Sequence, residues 1–391
     1  MRITDVTTLK VAYTPPEPMA DAIHYIPSRR ALLVQVHTDE GYTGLGESGG
    51  FGGSAESVED IILRDLRPLL LGQDPFTIER LWHMMYLPYR QRGRHGLLTM
   101  AIAGVDIALW DIVGQATRTP LYKLLGGYRD EVMAYASAGF YGVGRDPQRL
   151  AAEMAGYAEA GFRLVKMKVG RDPSTMLHPL PFVPPAEFAT VTLDEDLERV
   201  RLVRQAIGPK VGLAVDANSV WNTSTAIKMG KELQRFDIAW LEEPVHNQDV
   251  AGSAEVARAL DVPVAGYEQT NGLYAFAELV TQRAVDIVQP DVIWCGGITE
   301  CKKVAALAEA HHLPCIPHVF SSGVSLAANL HFVASIANGS LLECDRNPNP
   351  LRDELFDEPL TIDARGMVKL PQRPGLGVRL NEATVAKYRV P

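Results

Sequence analysis

The sequence predicts an α/β protein: a closed barrel of eight strands with crossover helices, preceded by a smaller α+β domain. Three observations carry this. From about residue 130 the chain repeats one unit, a short apolar β-branched run, a polar or glycine-bearing break and a helical pattern, which is the signature of parallel strands joined by helices. Eight such runs follow one another, VMAYASAGF, FRLVKMKV, VGLAVDAN, IAWLEEPV, VPVAGYE, VDIVQPD, CIPHVF and SLLEC, and eight imply closure. Finally, 391 residues are too many for one ordinary core and suit a large barrel with a partner domain.

Residues 1–128 read as the N-terminal domain, with strand-like ITDVTTLKV, RALLVQVHT and YTGLGES followed by helices, the longest being LLTMAIAGVDIALWDIVGQA. Two stretches there, PPEPMADAIHYIPSRR and GESGGFGGSAES, carry enough proline or glycine to be expected as mobile loops, and a mobile loop beside a barrel mouth is a natural lid. Residues 129–349 form the barrel. Its helical patterns, such as LERVRLVRQAIG, STAIKMGKELQRF and AEVARALD, space apolar residues three and four apart, so their apolar faces cover the strands. One break is anomalous: RDPSTMLHPLPFVPPAEFATVT, residues 171–192, holds five prolines where barrel loops usually take about two to six residues in all. It is read as an insertion, as well suited to an oligomer contact as to covering substrate. Residues 350–391 hold no further strand-and-helix unit and are expected to return to the first domain.

Composition narrows the class. A hydrophobic fraction of 47% and a charged fraction of 22% are those of a globular chain, and no apolar run is expected to reach the length of a membrane span. The start, MRITDVTTLKV, alternates like a strand and lacks the apolar core of a signal peptide, so a cytoplasmic location is expected. Cys295, Cys301, Cys315 and Cys344 form no C-x-x-C pair and are expected to be packed thiols. The net charge of −9 offers no basic patch for nucleic acid, and part of that acidity is assignable to carboxylates that hold a cation.

In an eightfold barrel, chemistry sits at the C-terminal ends of the strands. The third run ends in Asp216, with Asn218 just beyond, the fourth in Glu242 and Glu243, and the fifth in Glu268. Asp216, Glu242 and Glu268 stand 26 residues apart, one barrel unit per step, which puts one carboxylate on each of three neighbouring strands. Three converging carboxylates repel unless a cation joins them, and all-oxygen ligation favours Mg²⁺ over zinc. The alternative is three separate salt bridges with basic residues at helix ends.

The second run carries Lys166 and Lys168, which share one face of the strand because side chains alternate. Two ammonium groups about 6.6 Å apart repel by about 2.5 kcal/mol at an effective dielectric of 20, which lowers the pKa of one and makes it a base near neutral pH. A solvated edge strand is the plainer reading. Asp291 ends run six and His318 ends run seven, so the carboxylate can fix the imidazole tautomer and leave the other nitrogen to face the cavity as acid or base. Run eight supplies Glu343, either to donate a hydrogen bond when protonated or to pair with a lysine.

With these residues in place, the chain resembles the mandelate racemase subgroup of the enolase superfamily over nearly its whole length. The motifs that match are K-x-K at Lys166 and Lys168, metal ligands at Asp216, Glu242 and Glu268, the His–Asp dyad at His318 and Asp291, and the final Glu343. The resemblance implies a modified (β/α)₇β barrel, a capping domain formed by residues 1–128 and completed by residues 350–391, one Mg²⁺ per subunit, and specificity set by two capping loops. The muconate-lactonizing subgroup would carry a lysine on run six, and DIVQPDVIW has none. Members with both K-x-K and the dyad resemble acid-sugar dehydratases, whereas RQRGRHGLLTMAIAGVDIALWDI and HVFSSGVSLAANLHF are also similar to aldarolactone cycloisomerases.

The function expected is therefore a Mg²⁺-dependent dehydratase of a sugar acid, a lyase that removes the α-proton and the β-hydroxyl to give a 2-keto-3-deoxy acid. Lys168 is the expected base and His318 the expected acid. Cycloisomerization, or racemization of a 2-hydroxy acid, would use the same enediolate and the same residues. A metal-dependent hydrolase on this barrel would want H-x-H on run one, which MAYASAGF lacks, and a non-catalytic binding protein would have little use for a lysine pair facing a histidine dyad. His24, Tyr25 and Arg90, with Asn218, are candidate contacts to substrate. A homo-oligomer, from dimer to octamer, is expected, with neither nucleic acid nor membrane as partner.

Overall fold

The computed structural model describes residues 1–50, 55–89, 91, 95–175 and 191–391. In the N-terminal domain, β1 (Ile3–Tyr13) is followed by a short hairpin of β2 (Met19–Ala20) and β3 (Tyr25–Ile26), then by β4 (Arg29–Thr38) and β5 (Thr43–Ser48). β1, β4 and β5 make an antiparallel sheet in that order, with Leu9 opposite Leu33 and Leu33 opposite Glu47. The helix Leu97–Ala116 lies directly on β5 because glycine removes the side chains between them. A Cβ on Gly46 would stand 2.0 Å from the carbonyl oxygen of Gly104, and one on Gly44 2.0 Å from that of Ala108. By length and hydropathy this 20-residue helix could cross a bilayer, contrary to the sequence expectation that no segment is long enough. It is instead the mostly buried centre of the domain, with Asp106 and Asp111 inside.

The loop around β2 and β3 was expected to be mobile, but the structure ties it to the barrel. Ala20 and Tyr141 exchange backbone hydrogen bonds of 2.9 and 2.8 Å, and buried Arg171 donates to the Asp21 carbonyl at 2.7 Å. Of the second expected loop, residues 46–57, the ends belong to β5 and to the helix Ala55–Asp60 while 51–54 lie outside the described residues, as does most of the insertion, 176–190.

The barrel strands are β6 (Glu131–Ser137), β7 (Leu164–Lys168), β8 (Gly212–Asp216), β9 (Leu241–Glu242), β10 (Val264–Gly266), β11 (Ile287–Val288) and β12 (Leu341–Asp345). They pair in parallel in the order β11–β10–β9–β8–β7–β6–β12. The seventh run of the sequence joins as extended chain between β11 and the turn that leads into β12: Ile316 N–H donates to Val288 O and Cys315 N–H to Asn338 O, both at 3.0 Å. Residues 350–391 do carry a strand and a helix, against expectation. β13 (Met367–Lys369) pairs antiparallel with the start of β6, below the point where β7 takes over, and Val390 N–H then returns to Lys10 O on β1 at 3.0 Å.

Alternation along the strands layers the interior. Tyr135, Ala214, Trp240, Ala265, Ile287 and Ile316 form one buried apolar cluster inside the barrel. Two residues further along, on the same face, come Ser137, Asp216, Glu242, Gln289 and His318, with Glu343 two beyond Leu341. The intervening residues, such as Val165, Met167, Leu213, Val215 and Leu342, face outward into the large core shared with the helices. The apolar plug therefore sits one pleat below a polar layer, on the side where barrel loops build sites.

The glycine contact between sheet and helix gives a direct test. Gly46→Ala forces a methyl into the Gly104 carbonyl, and overpacking of this kind costs about 1–3 kcal/mol. A lowered Tm in thermal unfolding is expected, whereas Gly156→Ala, in the helix Pro147–Glu159 with open space around it and no positive φ, should not lower it.

Candidate active site

The polar layer is a network of buried charges. On β7, the Lys166 ammonium contacts Glu242, Glu343 at 2.8 Å and Asp216 at 3.9 Å, and the Lys168 ammonium contacts Asp216. Lys166 is 0% exposed and Lys168 6%. Across the ring, the Nδ1 of His318 lies 2.8 Å from Asp291, and its Nε2 lies 3.3 Å from Glu268. Asp291 is itself held, accepting from Ile293 N–H at 3.1 Å and from the Asn329 amide at 3.3 Å. Glu343 accepts from Val319 N–H at 3.1 Å. Glu242 accepts from Trp240 Nε1 at 2.9 Å and from Gln289 at 3.0 Å.

The turns after β8 and β9 put non-glycine residues in the left-handed region, with φ of 46° at Asn218, 63° at Ser219 and 44° at Glu243. Such backbone costs about 1–3 kcal/mol per residue and persists only where neighbours over-determine it. Here Ser219 N–H donates to Glu243 O at 2.7 Å, Glu243 N–H to Ala265 O at 2.9 Å, and Asn218 N–H to the Asp216 carboxylate at 2.8 Å. The pleat turns Asp216 and Glu242 inward, and Glu243 points aside, accepting from Ser219 Oγ at 2.9 Å and from Glu268 N–H at 3.0 Å.

The electrostatics follow from this crowding. Burial works against both ammonium groups, but Glu242 and Glu343 raise Lys166 well above its usual range and Asp216 raises Lys168. The expected lowering by lysine–lysine repulsion is thus overturned, because each ammonium touches a carboxylate. Burial also works against the His318 cation, yet Glu268, Asp291 and Glu343 outweigh it and raise the pKa to about 10. Burial pushes Glu343 up, and Lys166 with His318 brings it down to about 2, so it pairs with a lysine rather than standing protonated. Burial pushes Glu242 up to about 7, raises Glu268, and lifts Glu243 well above the carboxylate range.

This donor set fits a hard divalent cation. Five buried carboxylates, Asp216, Glu242, Glu268, Asp291 and Glu343, face three basic side chains, Lys166, Lys168 and His318, so acidic groups outnumber basic ones in the layer. Asp216 and Glu242 are drawn onto the ammonium groups, so no three metal-ligating side chains among the described residues are already gathered around one point.

Above the network lies a cavity of about 420 Å³, lined by Lys168, Glu268, His318, Glu343, Asn218 and His24 among others. Lys166, Asp216 and Glu242 sit beneath it, out of the lining. Of the candidates in the N-terminal domain, His24 reaches the cavity, Tyr25 is 36% exposed and outside the lining, and Arg90 lies outside the described residues. His24 brings a partner that sequence reasoning missed: its Nδ1 is 3.0 Å from buried Asp21, whose other oxygen accepts from Ile23 and His24 N–H at 2.9 and 2.6 Å. The spacing D-x-x-H was the available signal. Also missed were the aromatic wall of Phe140 stacked on Phe320, with centroids 5.6 Å apart, and Trp294, 5.3 Å from the His318 ring. Asn247, Gln248, Gln269 and Asn271, from the loops after β9 and β10, add an amide-lined rim.

A capping α+β domain over a barrel whose polar layer joins a lysine pair to a histidine–aspartate pair defines the class as the enolase superfamily. Residues 3–126 match the mandelate racemase / muconate lactonizing enzyme N-terminal domain and residues 149–384 match the enolase C-terminal domain-like family, so the chain belongs to the mandelate racemase / muconate lactonizing enzyme family. It is 37% identical to an arabinonate dehydratase of Saccharolobus solfataricus over 99% of both chains. It is also 34% identical to a D-galactarolactone cycloisomerase of Agrobacterium fabrum over 100% of both. Among solved structures, a racemase from Streptomyces coelicolor with bound magnesium superposes with a TM-score of 0.87 at 32% identity, covering 99% of this chain and 100% of that one.

Asp291 tests the electrostatic account. Asp291→Asn removes one of the carboxylates that raise His318, so the imidazole pKa should fall from about 10 toward the ordinary 6.5. NMR titration of the imidazole in metal-free protein reads this, and an unchanged pKa would contradict the assigned cause.

Proposed function

We propose that the protein is a Mg²⁺-dependent sugar-acid dehydratase, which removes the proton α to a carboxylate and the β-hydroxyl and releases a 2-keto-3-deoxy acid. The observation that carries this reading is that Lys168 and the Asp291-paired His318 line one cavity directly above a cluster in which carboxylates outnumber basic side chains. The dehydratase named among its relatives supports the substrate class.

Asp216, Glu242 and Glu268 would hold the metal, which when bound supplies positive charge to the carboxylate of the substrate and to the charge that develops there on proton loss. Were Asp216 engaged as a ligand, Lys168 would lose the counter-charge that keeps it protonated, and repulsion from Lys166 would favour the free amine. Lys168 is the base that takes the α-proton. Lys166 keeps Glu343 at 2.8 Å and remains a cation beneath the reacting carboxylate. His318, cationic through Asp291 and Glu343, gives its proton to the departing β-hydroxyl, which leaves as water. The resulting enol becomes the keto acid. Phe140, Phe320 and Trp294 form the apolar side of the chamber and keep bulk water from the intermediate.

Dehydration and exchange can be measured together in D₂O over a panel of mono- and diacid sugars with Mg²⁺. Wild type should form keto acid, and a chelator should abolish turnover until Mg²⁺ is restored. His318→Asn should exchange the α-hydrogen of a substrate whose proton faces Lys168 without forming keto acid, and Lys168→Ala should do neither. Keto acid from a fully metal-free sample would remove the proposal. Exchange that survives in Lys168→Ala but vanishes in His318→Asn would make His318 the base. Wild-type exchange without elimination would mark a racemase, and consumption of a lactone with ring opening would mark a cycloisomerase.

A further inference from the structure

We propose that two carboxylates of the N-terminal domain, Glu47 and Asp106, are positioning residues for the His318–Asp291 pair, each fastening the turn that follows one member of it. Glu47 ends on the barrel turn 318–325. It accepts from the hydroxyls of Ser321 and Ser322 and from the backbone N–H of Ser325 at 2.8 Å and Ser322 at 3.4 Å. These groups open the helix Gly323–Ala334, which starts five residues after His318. Asp106 does the same on the other side. It accepts from Thr299 N–H at 3.0 Å and from Thr299 Oγ1 at 2.5 Å, at the start of the helix Ile298–Ala310, seven residues after Asp291. Both carboxylates are 0% exposed.

Their origin makes the pair act together. Glu47 is on β5 and Asp106 on the helix Leu97–Ala116, the two elements locked by the Gly44, Gly46 and Gly104 contacts. The same unit reaches the Asp291 turn at a further point, where Gly49 N–H donates to Ile293 O at 2.9 Å. The spacing between the two turns, and with it the 2.8 Å contact of His318 Nδ1 with Asp291, is thus set from the capping domain rather than by barrel strands alone. The seventh run has few strand hydrogen bonds of its own to set it.

The elimination readout of the test rests on the dehydratase reading, and the remaining readouts do not. Glu47→Ala and Asp106→Ala, with Glu47→Gln and Asp106→Asn as volume-keeping variants should the alanines fail to fold, are compared with wild type in D₂O. A displaced acid misses the leaving group, and misplacement of about 1 Å costs on the order of 10²-fold, so keto-acid formation should fall by that factor while α-hydrogen exchange through Lys168 stays near wild type. Hydrogen exchange read by mass spectrometry should show lost protection at residues 322–325 in the Glu47 variants and 297–299 in the Asp106 variants. Exchange and elimination falling together, or neither changing, would overturn the inference. If wild type forms no keto acid, the dehydratase reading fails. The crystallographic His318–Asp291 separation in the variants then decides: a lengthened contact supports positioning and an unchanged one overturns it.

Discussion

The constraint on which the rest depends is charge balance in a place without water. Asp216, Glu242, Glu343 and Lys166 are each at most 1% exposed, and an ion so buried persists only when paired and hydrogen-bonded. The barrel supplies the pairing from its own strands, ammonium against carboxylate on adjacent positions, with carboxylates in excess. The carboxylates that would bind a cation include those that hold the lysines, Asp216 against Lys168 and Glu242 against Lys166. A cation bound there and the protonation of Lys168 would therefore be linked, each weakening the other.

The strand pleat makes such a cluster affordable for the fold. Because side chains repeat every second residue, one inward layer is wholly apolar and the next wholly polar, and the first seals the second from below. Tyr135 belongs to both, its ring closing the plug while Lys166 lies 5.7 Å above the ring centroid. Moving any charged residue one position along its strand would turn it into the helix-packed core, where Val165, Met167 and Val215 admit no ion. Position on the pleat, more than residue type, separates site from core.

The same periodicity explains how much was legible in the sequence. Regular spacing singled out Asp216, Glu242 and Glu268, because a repeat of one barrel unit is a local property of the chain, and the structure puts Glu243 on Ser219 and the Glu268 N–H instead of on the lysines. Motif ends located His318, Asp291 and Glu343 for the same reason. The direction of the lysine pKa shifts was misjudged because the repulsion between Lys166 and Lys168 is visible along one strand, whereas the carboxylates that outweigh it come from positions 48 and 76 residues away. β13 escaped notice because three residues carry too little periodicity, and the helix Leu97–Ala116, though read as a helix, has an apolar length that reflects burial on several sides. Asp21 was hidden behind His24, and Glu47 and Asp106 meet barrel residues 274 to 193 positions away, a distance over which no local pattern speaks.

The capping domain then has a physical task beyond covering the cavity. A barrel mouth open to water would screen each of its ion pairs, since the same contact is several-fold weaker at the dielectric of water than in the interior. The domain excludes that water with the Asp21-held His24, which brings its own counter-charge and so adds no net charge to a cluster already short of cations. It also contributes Arg29, which stacks 3.7 Å from the Phe320 ring centroid and pairs with Asp345 at 2.8 Å, bracing the aromatic wall from outside the cavity. His24 and Arg29 each arrive beside a carboxylate, Asp21 from the cap itself and Asp345 from β12. Neither takes a counter-charge from Asp216, Glu242 or Glu343, so the pairing that holds the barrel's polar layer together is left to the barrel's own strands.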